Sequence, residues 1–160
     1  MDGFRLGIAV ADARALISAD IERTVREEWR VEDTTGMLIV GSYSEPPHMV
    51  GYLMFLDGGL VAVVKNQREE YAIFQEKFAE LKSRLGEPVG ATPEFAQGRV
   101  FIAEMLASEE QPDEQYLWGD TAERWLYIAG HYYEDELTTY MLIDAARYDD
   151  VAAEMAAGGS

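Results

Sequence analysis

The chain has 160 residues, of which 48% are hydrophobic, enough for one compact domain or two small joined halves. Its 30 acidic and 13 basic residues give a formal net charge of -17, which repels nucleic acid and anionic membrane surfaces. The absence of cysteine excludes disulfides and zinc–thiolate sites. Because of the negative charge, we expect no nucleic-acid partner. The charge favours a basic protein partner, a cation, or simple solubility in a salty medium.

The sequence also bears on the cellular compartment. No apolar run reaches the roughly 18 residues of a membrane span, so we expect no membrane insertion. The N-terminus lacks the basic start and long apolar region of a secretory signal. The domain-like sequence pattern starts at Gly3 with no preceding segment, which favours removal of a signal peptide. We therefore expect a periplasmic location. A cytoplasmic location with a native Met1 is the alternative.

The first predicted element is a short alanine-rich helix over residues 7–19. Its predicted buried side consists of Ile8, Ala11, Ala15 and Leu16. Residues 21–31 fit both a helical and an alternating pattern, and we favour a strand from about Arg23. Three further strands are predicted at 37–43, 48–56 and 60–65. The glycines that follow Asp57 predict a tight hairpin between the last two of these strands.

A second helix is predicted between Asn66 and Pro88, where apolar residues recur at steps of three and four. The residues of this apolar side are Tyr71, Phe74, Phe78, Leu81 and Leu85. Asn66 is expected to cap the helix, with Glu69 reaching back as in a capping box. Gly86 supplies the residue type that commonly ends a helix, and Pro88 prevents its resumption.

The C-terminal half alternates between apolar and polar residues. Strands are predicted at 99–106, 115–119, 124–133 and 137–145, with an acidic loop at 108–114 and a tail at 149–160. The whole pattern predicts an α+β fold: a twisted antiparallel sheet of six to eight strands with two helices packed on one face. Residues 1–148 are expected to form a single domain, with halves 3–65 and 66–148 as two α-β-β-β repeats.

Short motifs suggest a family. Residues 3–9, followed by 11–16, resemble the opening of small SmpA/OmlA-type envelope domains, in which a glycine precedes a short helix and strands follow. Residues 81–88, which end in Leu-Gly-Glu-Pro, resemble the corresponding helix exit of a second copy. A tandem pair of this kind is similar to the β-lactamase-inhibitor-protein-like fold. The resemblance implies a binding module without catalysis, often in the bacterial envelope.

Catalytic and metal-binding signals are weak. His48 and His131 are the two histidines, and they could in principle form a metal site with Glu45 or Glu134 as the third ligand. Nothing in their spacing supports such a site. Nucleophile-elbow, phosphate-binding and EF-hand motifs are missing from the sequence. Glycoside hydrolysis uses a pair of carboxylates, and the candidate pair here is Asp144 and Glu104 on neighbouring predicted strands, in a chain that is small for such an enzyme. We therefore expect no enzyme activity, no cofactor and no metal.

Aromatic residues are concentrated in the C-terminal half, and two interpretations stay open. In the first, the aromatic residues complete the core. In the second, they lie on the outward face of the last strands and form a binding surface. On the second interpretation the contact residues are Trp118, Trp125, Tyr127 and Tyr133, surrounded by the acidic side chains of Glu109, Glu110, Asp113 and Glu134. The predicted function is then protein recognition through an exposed aromatic sheet face with an acidic rim.

Two other classes of function remain open. One is a cytosolic immunity- or antitoxin-type inhibitor whose acidity neutralises a basic protein. The other is a small enzyme or ligand-binding protein with an aromatic pocket between sheet and helix. It would use His48, His131 or Asp144.

Overall fold

The structure is a computed structural model that contains seven antiparallel β-strands and two α-helices among the residues it describes. This composition confirms the α+β class. The described residues are 4–18, 23–30, 32, 34–42, 49–88, 113–120, 125–147, 150–151 and 153. The predicted strand at 99–106 lies outside them. The chain divides into two compact units, Met1–Asn66 and Gln67–Ser160, and the prediction that residues 1–148 act as one domain stays a prediction.

The first unit contains one helix followed by an antiparallel meander. Its elements are α1 (Val10–Ser18), β1 (Arg23–Arg30), β2 (Thr35–Ser42), β3 (Met49–Leu56) and β4, which runs from Gly59 to Arg68 and so ends beyond this unit. Each strand pairs with the next in sequence. The ambiguous segment 21–31 therefore contains a strand that begins at Arg23, as predicted.

The β3–β4 hairpin confirms the turn that the sequence predicts. Asp57 and Gly58 have φ angles of 53° and 83°, and Leu56 pairs with Gly59 on either side of them. A two-residue hairpin turn with positive φ at both positions matches the right-handed twist of its strands. The segment before α1 is tied to the same hairpin, because the Gly7 amide donates to the Leu60 carbonyl at 2.7 Å.

The buried side of α1 differs from the prediction. Ala13 and Ile17 are the buried residues, at 0% and 2% exposure, whereas Leu16 is 42% exposed. The predicted side was Ile8, Ala11, Ala15 and Leu16; Ile8 precedes the helix, and both of these alanines are exposed. In an alanine-rich helix the apolar pattern fits more than one side, and the predicted side does not include Ile17, the large residue that packs.

The second unit places one helix on a three-stranded meander. Its elements are α2 (Tyr71–Leu85), β5 (Glu114–Asp120), β6 (Trp125–Tyr132), β7 (Leu137–Asp144) and a 3₁₀ turn (Ala145–Arg147). Strand β6 pairs with both β5 and β7. The ring centroids of Phe74 and His131 lie 4.8 Å apart, and those of Phe78 and Trp118 lie 5.8 Å apart. These contacts place α2 on the sheet face that carries His131 and Trp118.

The two ends of α2 differ in how well the sequence predicts them. Gly86 ends the helix as predicted, with φ of 85° and its amide donating to the Lys82 carbonyl at 2.9 Å. The capping box was wrong, because β4 continues through Asn66 to Arg68 and the N-cap is Glu70, without a side-chain cap bond. Beyond β7, Asp150, Val151 and Ala153 have helical backbone within the predicted tail, and Val151 is buried.

Candidate functional site

The sheet face of β5 and β6 that carries the aromatic residues is the face that α2 covers, and its central residues are not exposed to solvent. Trp118 is 2% exposed, pairs with Tyr127 across the strands, and donates from Nε1 to the Gly86 carbonyl at 3.0 Å. Its role as a surface contact residue is therefore corrected: Trp118 belongs to the core. Alternation fixes which residues share a face, but it does not show which face the helix covers.

The other predicted contact residues lie in different environments. Trp125 and Tyr127 are half-buried, whereas Tyr133 is 48% exposed. Asp113 and Glu134 are exposed at the same end of the sheet as Tyr133. Glu109 and Glu110 lie outside the described residues. The predicted residues that share an exposed location are thus Tyr133, Asp113 and Glu134.

Tyr133 belongs to a group that we call the tyrosine–glutamate cluster: Tyr71, Tyr116, Tyr133 and Glu114. Glu114 Oε1 accepts a hydrogen bond from the Tyr116 hydroxyl at 2.6 Å, and Oε2 accepts one from the Tyr133 hydroxyl at 2.7 Å. The Tyr71 hydroxyl also hydrogen-bonds to this carboxylate. The three tyrosines come from α2, from β5 and from the turn after β6, so one carboxylate joins three elements.

These hydrogen bonds shift the pKa values in opposite directions. Burial acts to raise the pKa of Glu114, but the three hydroxyls outweigh it and hold the pKa below its ordinary value. Burial and the hydrogen bond to Glu114 raise the pKa of Tyr116 to about 12. The hydrogen bond to Glu114 also raises the pKa values of Tyr71 and Tyr133. At neutral pH the cluster therefore contains an ionised carboxylate and neutral phenols.

Two rings of the cluster are presented to solvent. Tyr71 and Tyr133 are 38% and 48% exposed, and their ring centroids lie 5.1 Å apart at 77°. Ile73, which is 42% exposed, follows Tyr71 on α2. Sequence reasoning placed Tyr71 on the buried side of the helix and did not select Glu114 or Tyr116. Their spacing of two residues in a strand was the available signal, because it puts both on one face.

Asp113 fixes the backbone on which Tyr133 stands. The Asp113 amide donates to the His131 carbonyl at 2.9 Å, and Asp113 Oδ2 accepts from the Tyr133 amide at 2.8 Å. The side chain of Asp113 is thus already engaged with the turn, while the residue remains exposed. This pair of bonds holds the start of β5 against the end of β6.

His131 lies beneath the exposed rings and is fully buried. Its ring stacks on Phe74 at 15°, and its centroid lies 5.6 Å from that of Tyr71. Nδ1 is 2.8 Å from Thr138 Oγ1, whereas Nε2 has no hydrogen-bond partner among the described residues. Burial lowers the pKa of His131, against the opposing effect of the carboxylates of Glu69, Glu114, Asp113 and Glu136. The imidazole is therefore neutral at pH 7.

A buried carboxylate anchors the start of α2. The side chain of Glu69 is 1% exposed, and its Oε2 accepts from the Tyr140 hydroxyl at 2.8 Å. Lys77, two turns along α2, donates to Oε1 of the same carboxylate. Glu69 thus has charge-assisted partners on the helix and on β7, as a buried charge requires.

The residues considered for metal binding or catalysis lie only partly within the described part of the chain. It contains no group of three or more His, Asp or Glu side chains that could hold a metal ion. Asp144 Oδ1 accepts from the Ala146 amide at 3.0 Å, whereas His48 and Glu104 lie outside the described residues.

The first unit contains a small apolar cavity. It measures about 40 Å³ and is lined by Phe4, Ile17, Val40, Val50, Gly51, Tyr52, Leu53, Val63, Val64 and Lys65. It has room for one or two water molecules and is far smaller than the roughly 300–1,000 Å³ of a typical metabolite pocket. The described residues of its lining include no carboxylate.

Neither described α-helix has the length and apolar composition needed to cross a membrane. Comparisons of the chain with protein-family models, with curated proteins and with solved structures found no match. The resemblance to SmpA/OmlA-type domains therefore stays a prediction. The feature of the chain that bears most on function is the tyrosine–glutamate cluster.

Proposed function

We propose that this chain is a non-enzymatic recognition protein whose second unit binds a basic or mixed protein partner. The contact surface consists of Tyr71, Ile73 and Tyr133, with the acidic side chains of Asp113 and Glu134 beside them. The observation that supports this most directly is the exposure of two tyrosine rings whose hydroxyls are fixed by Glu114.

Fixed tyrosine rings suit protein recognition for an energetic reason. A tyrosine side chain supplies a large apolar contact area at a low cost in conformational entropy, and its polar end tolerates water. The hydrogen bonds to Glu114 and the edge-to-face contact of Tyr71 with Tyr133 lower that cost further, because they restrict both rings before binding. Such preorganised aromatics are the residues that dominate interface energies.

The charge of the chain supports a basic partner. With a net charge of -17 the protein attracts cationic surfaces over long distances and accelerates their association at low salt. Asp113 and Glu134 supply local negative charge at the contact surface. An immunity- or antitoxin-type inhibitor would use the same features. The two functions differ in the partner, which for the inhibitor is a toxin.

The proposed binding scaffold is a duplicated α-β unit. Each unit has an α-helix followed by antiparallel strands, which supports a duplicated α-β unit of the kind found in tandem SmpA/OmlA-type domains. Four strands follow the helix in the first unit, and three described strands follow it in the second. In the proposed arrangement the sheet is twisted and carries both helices on one face. It acts as a binding scaffold without a cofactor.

The test is a comparative capture of proteins from a lysate of the source organism. The bait is either the wild-type chain or the double variant Tyr71→Ser/Tyr133→Ser. A matched control, Leu16→Ser/Val25→Ser, removes two apolar side chains of similar exposure (42% each) from the first unit. We expect a basic protein that the wild type and the control retain at low salt and the tyrosine variant loses. Capture of the same proteins by all three folded baits would contradict the proposal.

A further inference from the structure

The first unit shows how this chain itself holds an arginine. The Arg14 guanidinium bonds to both carboxylate oxygens of Glu27, with Nη2 at 2.9 Å from Oε2. The same guanidinium lies 5.4 Å above the ring of Trp29, and Trp29 Nε1 donates to Glu27 Oε2 at 3.1 Å. Glu27 thus accepts a hydrogen bond from Trp29 and also pairs with Arg14, whose guanidinium contacts the Trp29 ring.

The tyrosine–glutamate cluster has the carboxylate and the rings but no cation. Glu114 accepts from the hydroxyls of its aromatic neighbours, as Glu27 accepts from Trp29. Among the described residues no lysine or arginine forms a salt bridge with Glu114, and its principal neighbours are the three tyrosines. An ionised carboxylate has about four acceptor positions, so three tyrosine hydroxyls leave room for one more donor. Asp113, which also bonds to Tyr133, supplies a second carboxylate close by.

We infer that the tyrosine–glutamate cluster binds the guanidinium group of an arginine on the partner protein. The inference rests on the proposed function and specifies the side chain that is recognised. A planar, weakly hydrated guanidinium stacks on a tyrosine ring while its N–H groups reach more than one carboxylate. A lysine ammonium is compact and strongly hydrated, so it gains less from the exposed rings of Tyr71 and Tyr133.

The experiment is a titration of the full chain, with isotopically labelled tyrosine, followed by NMR. The probes are three blocked tripeptides with a central arginine, lysine or citrulline; citrulline has nearly the shape of arginine without its charge. We expect the arginine peptide to shift the ring resonances of Tyr71 and Tyr133 in a saturable way. The lysine peptide should bind several-fold more weakly, and the citrulline peptide should give no saturable shift.

Two variants separate recognition from general charge. Glu114→Gln should abolish the response to the arginine peptide. Glu80→Gln removes one negative charge from an exposed position of α2, where Glu80 pairs with Arg84, and should keep the response. Equal binding of lysine and arginine, saturable binding of citrulline, or no shift at all would overturn the inference. If capture of the partner still depends on Tyr71 and Tyr133 in those cases, the proposed function stands and the arginine assignment alone is rejected.

Discussion

The Tyr140 hydroxyl donates a 2.8 Å hydrogen bond to Oε2 of Glu69, across 71 residues of sequence. Because Glu69 is buried and charged, removal of this donor leaves a carboxylate oxygen unsatisfied. We predict that Tyr140→Phe lowers the free energy of unfolding by about 1.5–3 kcal/mol. Tyr133→Phe removes an exposed hydroxyl and should cost about 1 kcal/mol or less. Urea denaturation of both variants checks this; equal losses would contradict the anchoring role of Glu69.

Trp118 and Trp125 provide a test of which aromatics belong to the core. Trp118 is 2% exposed, whereas Trp125 is half-buried. Trp118→Ala should lower the free energy of unfolding by about 3–5 kcal/mol, as expected for a fully buried aromatic. Trp125→Ala should cost clearly less. Thermal and chemical denaturation of the two variants gives the comparison. Both side chains lie on the same sheet face, so a reversed order would show that α2 covers the Trp125 end of this face rather than the Trp118 end.

His131 predicts a loss of stability in mildly acidic solution. Its pKa in the folded state lies below the ordinary value of 6.5, so below that pH the unfolded chain binds more protons than the folded chain. The free energy of unfolding should therefore fall as the pH drops from 7.5 to 5.5. The slope from this group is at most about 1.4 kcal/mol per pH unit.

The matched variant for this prediction is His131→Phe, which keeps a ring in the stack with Phe74 and removes the titrating group. Its stability should change little across the same range. Denaturation curves at several pH values provide the comparison. An equal slope in the variant would assign the pH dependence to other groups. A wild-type stability that rises towards acidic pH would mean that the neighbouring carboxylates outweigh burial at His131.

The charge of Glu114 should be visible in the titration of the tyrosines. Burial and Glu114 raise the pKa of Tyr116 to about 12, so its phenol should ionise well above the ordinary 10.0. In Glu114→Gln the pKa should move down towards the ordinary value, because the negative charge is gone. Absorbance at a tyrosinate wavelength, recorded against pH for the folded protein, measures this. An unchanged titration curve would mean that Glu114 does not interact with the tyrosines in solution.

The sequence predicts local features of the fold better than features that depend on distant residues. The hairpin at Asp57 and the end of α2 at Gly86 follow from backbone chemistry within a few residues, and both are confirmed. The capping box fails because β4 continues to Arg68 and Glu69 bonds instead to Tyr140, a partner that no local pattern reveals. Burial of Trp118 was unpredictable for the same reason, since it depends on where α2 lies on the sheet.

The candidate site shows the same limit. Tyr133, Asp113 and Glu134 could be selected from composition alone, because tyrosines and acidic residues are concentrated near the turn after β6. For Glu114 the sequence offers only its spacing of two from Tyr116, and for Tyr71 it offers no signal of exposure, because both roles arise from the approach of α2 to the start of β5. The helical spacing places Tyr71 on the apolar side of α2, but it does not show that the sheet ends beneath this residue. The ring of Tyr71 is therefore 38% exposed.

The central claim is that a protein partner contacts the exposed rings of Tyr71 and Tyr133. It is tested most directly by the Kd of the captured partner for the wild-type chain and for the two double variants. We predict that Tyr71→Ser/Tyr133→Ser weakens binding by about 30-fold or more, as the loss of an interface hot spot does. Leu16→Ser/Val25→Ser should bind as the wild type does. Equal affinities of all three chains, or an equal loss in both variants, would contradict the claim.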